Sequence, residues 1–192
     1  TYEKLAKEDS LYYRSELATN YLNLSNMYAG HSRLEEAESL LIKAYGLFSA
    51  LSLAEPEKYE QYMAGTTLNL GNCYARLGKT SLATDMYDKT LKIRTKMAVN
   101  NPELYSASLG KAYMNIGNFN AVNGYKIEAL SNYNKSLDIY RGLAKNNPDQ
   151  YAAVIENLSN NIYLLGIDDS PQIAPKKEPS LAGTVIPKLE EA

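Results

Sequence analysis

The chain has 192 residues, of which 45% are hydrophobic and 22% charged, a composition that suits one folded domain or a short repeat array. Twenty Lys and Arg against 22 Asp and Glu give a formal net charge of -2, which argues against a nucleic-acid surface, since that needs clustered positive excess. One Cys and one His exclude an internal disulfide framework and leave no set of His and Cys ligands for a metal. The lone cysteine points to a reducing compartment, with the cytoplasm as the expectation. No apolar run approaches the roughly 18–20 residues of a membrane span, so no membrane partner is expected.

An internal period organises the rest. Leu22-Asn23-Leu24-Ser25-Asn26-Met27-Tyr28 returns 46 residues later as Leu68-Asn69-Leu70-Gly71-Asn72-Cys73-Tyr74, and again as Met114-Asn115-Ile116-Gly117-Asn118-Phe119-Asn120. A fixed period of this size means one supersecondary unit stacked on copies of itself. Pro56, Pro102 and Pro148 share the 46-residue spacing, and Ser10 holds the same place in the first copy. Asn101-Pro102-Glu103 and Asn147-Pro148-Asp149 have the order of a helix start, with a capping amide, a residue lacking an N–H, and an acid at the positive helix end.

Taken in order, residues 1–8 match the end of a second-type helix. Tyr2, Leu5, Ala6 and Lys7 stand three periods before Tyr140, Leu143, Ala144 and Lys145, so an upstream unit is expected. Full repeats then occupy 10–54, 55–100 and 101–146, each a helix A followed by a helix B. On helix A, Leu17, Tyr21, Leu24 and Tyr28 lie on one face, as do Met63, Thr67, Leu70 and Tyr74, and Leu109, Tyr113, Ile116 and Asn120. Ser32, Gly78 and Gly124 fall in the turn. Helix B carries small residues at Ala37, Ala83 and Ala129, large ones at Leu41, Tyr87 and Tyr133, and small ones again at Ala44, Thr90 and Ser136. Residues 147–166 give one more helix A as a cap, ended by Gly166. Residues 167–192 contain Pro171, Pro175, Pro179 and Pro187, which forbid a further helix B and predict an extended or flexible tail.

This arrangement resembles the tetratricopeptide repeat, whose helix A carries an aromatic, Leu, Gly and Tyr and whose helix B carries Ala, an aromatic and Ala. The usual unit is about 34 residues; here the 12 extra residues lengthen both helices, as in the long-helix repeats of kinesin light chain and many bacterial repeat proteins. The resemblance implies an all-α, right-handed solenoid of antiparallel helical hairpins, with helix A lining the concave side.

On that concave side the expected rows are Asn23-Asn69-Asn115, Asn26-Asn72-Asn118 and Leu22-Leu68-Met114, with Arg76 and Lys111 adding positive character. An Asn side chain offers both an acceptor and donors, so it can hold the C=O and N–H of one peptide unit whatever the ligand's sequence. In related proteins an asparagine ladder at the place of Asn23, Asn69 and Asn115 does this. The same amides also serve elsewhere in the family as helix-to-helix bridges with no ligand, and both readings stand. A carboxylate clamp is disfavoured: Asn23, Asn69 and Lys111 fit its places, but Thr19 and Asn115 replace two of its cations. His31 reads as a turn residue and Cys73 as a small buried one. Without a nucleophile–base pair, a metal cluster or a phosphate loop, the expectation is a non-enzymatic module with no cofactor. Its partner would be a protein or an extended peptide, its own tail included, in cis or from a neighbouring copy. The alternatives are a spacer or self-association domain and a peptide-sensing regulatory module.

Overall fold

In a computed structural model, residues 2–166 are described, with side chains from Ser10 onward. They form seven α-helices: α1 (Tyr2–Gly30), α2 (Leu34–Ala54), α3 (Pro56–Arg76), α4 (Thr80–Asn100), α5 (Pro102–Val122), α6 (Lys126–Ala144) and α7 (Pro148–Leu164). Consecutive helices run antiparallel and pack as neighbours, α1 on α2, α2 on α3, α5 on α6 and α6 on α7. Two 21-residue helices such as α3 and α4, a three-residue turn and the single residue Asn101 make up the 46-residue period. The expected tail lies outside the described residues.

The helix boundaries follow the local chemistry. Pro56, Pro102 and Pro148 each begin their helix, where a missing N–H costs nothing. Asn101 caps α5 by accepting from the Leu104 N–H at 3.2 Å. Asn147 makes no such bond, so at α7 the proline and Asp149 start the helix without a side-chain cap. Each A-to-B turn closes with the same backbone bond from five residues on: Arg33 to Tyr28 at 2.9 Å, Lys79 to Tyr74 at 2.8 Å and Tyr125 to Asn120 at 2.8 Å. This closure needs a left-handed residue. Gly78 and Gly124 supply it with φ of 71° and 79°, and Ser32 is forced into the same region at 59°.

The N-terminus differs from expectation. The break foreseen near Ser10 is absent, and α1 runs through it as one 29-residue helix. Ser10 stands where the later copies have proline, so nothing removes a helical hydrogen bond there.

The chain divides into two compact units, one up to Met86 and one from Tyr87. In the first, Ala18, Ala44, Phe48, Leu51 and Tyr59 form a core flanked by Leu11, Tyr21, Leu22, Leu47 and Met63. In the second, the core is Ala129, Tyr133, Leu137, Tyr140, Leu158 and Leu165. The helix-B series behaves as its spacing implies: Ala37, Ala83 and Ala129 are fully buried, as are Ala44, Thr90 and Ser136. Ser136 uses that closeness to donate to the Gly110 carbonyl at 2.8 Å.

Among the described residues one helix, α2, is long and apolar enough to cross a membrane by length and composition, contrary to the absence of such a run expected above. Its Ala37, Leu41, Ala44, Phe48 and Leu51 are buried, and the rest of the helix is part-buried or exposed.

Candidate functional site

The asparagines lie on the A-type helices, and the structure pairs them diagonally. In the first unit, Asn69 of α3 donates through Nδ2 to Asn26 Oδ1 of α1 at 3.1 Å. In the second, Asn161 of α7 donates to Asn118 Oδ1 of α5 at 3.3 Å. Both pairs span 43 residues, so an amide of the Asn23–Asn69–Asn115 series meets one of the Asn26–Asn72–Asn118 series one helical turn away. The expected rows are therefore stitched crosswise.

The second unit extends this network. Asn161 also donates to Asn157 Oδ1 at 3.3 Å, and Tyr133 of α6 donates its hydroxyl to Asn118 Oδ1 at 2.8 Å. Neither Asn157 nor Asn161 is among the binding residues expected from sequence, although Asn161 keeps the repeat frame in the fourth copy. Asn161 stands 46 residues after Asn115, so the period alone would have found it; Asn157 occupies the place of Thr19, Gly65 and Lys111, where no residue type repeats.

The amides keep capacity after pairing. Asn23, Asn26 and Asn118 are exposed, and Asn69, Asn72 and Asn115 half-buried. Asn26 has spent one lone pair and retains both amide hydrogens; Asn69 retains its carbonyl oxygen and one N–H. A peptide unit offers one donor and one acceptor, which matches what remains.

The apolar row is placed otherwise than expected. Leu68 is buried, and Leu22 and Met114 pack against the two cores. These side chains serve packing first because they lie beside the neighbouring helices rather than beyond them. Arg76 is also engaged: Nη1 donates to the Ala29 carbonyl in the last turn of α1 at 2.8 Å, a cation at the negative end of that helix. Lys111 is exposed on α5. Thr19, standing where a clamp would need a cation, turns its hydroxyl back to the Ser15 carbonyl at 2.9 Å.

His31 is exposed in the first turn. Cys73 is buried, its Sγ 3.4 Å from the Leu34 carbonyl, and burial pushes its thiol above the ordinary value. Lys79, just past α3, ties back to Glu38 of α2 at 2.6 Å. Among the described residues, no group of three or more His, Cys, Asp or Glu is arranged to hold a metal. No protein-family model and no curated protein sequence matches the chain.

Proposed function

We propose that the chain is a tetratricopeptide-like solenoid, a non-catalytic module whose asparagine face holds the backbone of an extended peptide or of an extended segment of a partner protein. The observation that supports this reading is the partly exposed amide network at Asn26–Asn69 and Asn118–Asn161, which keeps unused donors and acceptors after pairing. Asparagine at these places is not required for helix packing, so its recurrence calls for a polar role.

Magnitudes limit the affinity. Each net hydrogen bond contributes about 0.5–1.5 kcal/mol. Four of them fall short of the roughly 8 kcal/mol of a micromolar complex. With Leu22, Leu68 and Met114 committed to packing, the remainder comes from contacts to the ligand's side chains elsewhere on the face. The module is therefore a moderate-affinity binder.

A second reading is favoured by the same bonds: the amides act as struts between A-type helices in a spacer domain. Asn23 separates the two. It is exposed, whereas Asn69 is bonded to Asn26. A displayed library of unstructured peptides, selected on the whole chain, supplies the ligands. Peptides that lose affinity at least tenfold on Asn23→Ala, at unchanged melting temperature, support the peptide groove. Failure to select any peptide, with Asn69→Ala lowering stability, leaves the strut reading. Removing residues 168–192 checks whether the tail competes, and a rise in peptide affinity is then expected.

A further inference from the structure

The hydroxyl of Tyr133 carries one proton, and one acceptor takes it. The side chain is 3% exposed, and burial pushes the phenol above its ordinary value, so the proton stays on at neutral pH. Gly117 lets the ring lie against α5, where a Cβ would come within 2.5 Å of it, and the hydroxyl then reaches Asn118 Oδ1 at 2.8 Å. Among the described residues the hydroxyl has no other hydrogen-bond partner. An amide shows an oxygen on one side and N–H groups on the other. Were Asn118 turned over, the buried phenol proton would lose its acceptor, at a cost in free energy.

The order passes along the network. With its oxygen held inward, Asn118 takes a second donor on the same atom, Asn161 Nδ2 at 3.3 Å. Asn161 Nδ2 gives its other hydrogen to Asn157 Oδ1, also at 3.3 Å. Both lone pairs of Asn118 Oδ1 and both hydrogens of Asn161 Nδ2 are thus spent. Asn118 is exposed, and what it has left is two N–H donors. Asn161 is half-buried, and what it has left is its carbonyl oxygen. The first unit lacks this lock. Leu41 stands two periods before Tyr133, and among the described residues Asn26 accepts from Asn69 alone, so those two amides can turn over together.

We propose that Tyr133 is a positioning residue that fixes which hydrogen-bonding groups the second unit shows to a ligand. Asn118 then takes only an acceptor, the C=O of a peptide unit, and Asn161 takes only a donor, a peptide N–H. The ligand half of this proposal rests on the peptide-groove reading; the ordering of the amides does not.

Side-chain amide hydrogen exchange, followed by NMR on the whole free chain, reads the ordering. The Asn161 amide hydrogens should exchange severalfold more slowly than those of Asn118. Tyr133→Phe keeps the ring and removes the proton, so it should erase that difference while backbone protection in α5 and α6 persists. Protection on Asn118 instead, or a difference that survives Tyr133→Phe, overturns the proposal. The ligand half is read with the tightest peptide selected on the whole chain. Asn118→Asp keeps an oxygen for Tyr133 and Asn161 and removes the outward N–H groups. At unchanged melting temperature it should weaken that peptide at least about tenfold, the worth of one or two hydrogen bonds. Equal or tighter binding by Asn118→Asp, with Asn23→Ala still harmful, overturns the proposal and leaves the peptide groove in place. Failure to select any peptide overturns the groove reading and the ligand half with it, and the exchange rates then decide whether Tyr133 orders the amides.

Discussion

The ring of Tyr133 fills the space that a side chain on Gly117 would occupy: a Cβ there would lie 2.5 Å from the ring's Cδ1. In the first repeat the equivalent positions are Ser25 and Leu41, a larger residue opposite a smaller one. Both Ser25 and Leu41 are buried. Gly117→Ala should therefore destabilise the second unit by about 1–3 kcal/mol, although alanine favours a helix by nearly 1 kcal/mol over glycine. Tyr133→Leu alone loses ring burial and the hydroxyl bond to Asn118. Combined with Gly117→Ala, it should cost less than the sum of the two. Denaturant unfolding of the four proteins in the cycle measures the coupling, and strict additivity would contradict it.

Ser32 shows the converse, a residue retained where its conformation is unfavourable. Its φ of 59° matches that of Gly78 and Gly124, but its Cβ makes this region costly. Ser32→Gly removes that strain while adding freedom to the unfolded chain, and the two effects oppose. The net expectation is a gain of about 0.5 kcal/mol, seen as a melting-temperature rise of about 1–2 °C. A fall would mean that the Ser32 side chain contributes more to the turn than its backbone costs.

Much of this architecture was legible because a 46-residue period repeats every packing constraint three times. Ala37, Ala83 and Ala129 could be placed at close helix contacts from spacing alone, and each is fully buried. What escaped depends on neighbours that the pattern does not encode. Leu17 and Leu24 share one face of helix A with Tyr21 and Tyr28, yet both are exposed. The crosswise asparagine bonds depend on the relative height of adjacent helices, which no single repeat reveals. Tyr163, which is exposed, holds the position that Gly71 and Gly117 keep small, so the end of the array departs from the pattern.

Arg94 breaks an aromatic series. Phe48 and Tyr140 stand one period to either side; Phe48 stacks on Tyr62, and Tyr140 packs on Tyr151 and donates to the Ala107 carbonyl at 3.1 Å. Arg94 Nε is buried with no hydrogen-bond partner, and burial pulls the guanidinium below its usual range. A desolvated donor without an acceptor costs about 1–3 kcal/mol. Arg94→Met keeps the length and removes the donors, so it should raise stability by about 1 kcal/mol and the melting temperature by about 2–4 °C. A lower melting temperature would show that the guanidinium makes a compensating contribution in solution.

The tyrosines predict how the fold responds to alkali. Burial raises the Tyr74 phenol to about 12, with Glu38 adding to the effect, and burial also raises Tyr87, Tyr133 and Tyr140. An unfolded tyrosine ionises near pH 10. The folded state therefore holds these protons more tightly than the unfolded state does. Their contribution to stability is complete below about pH 10 and is lost as pH rises toward the folded value. Absorbance at the tyrosinate band should thus rise in two stages. The buried set ionises in the later stage, only as helicity falls. Tyr74→Phe removes one late proton, so it should shift alkaline unfolding upward in pH without changing the first stage. A single titration near pH 10, with helicity intact, would mean that these phenols are reached by water in the folded protein.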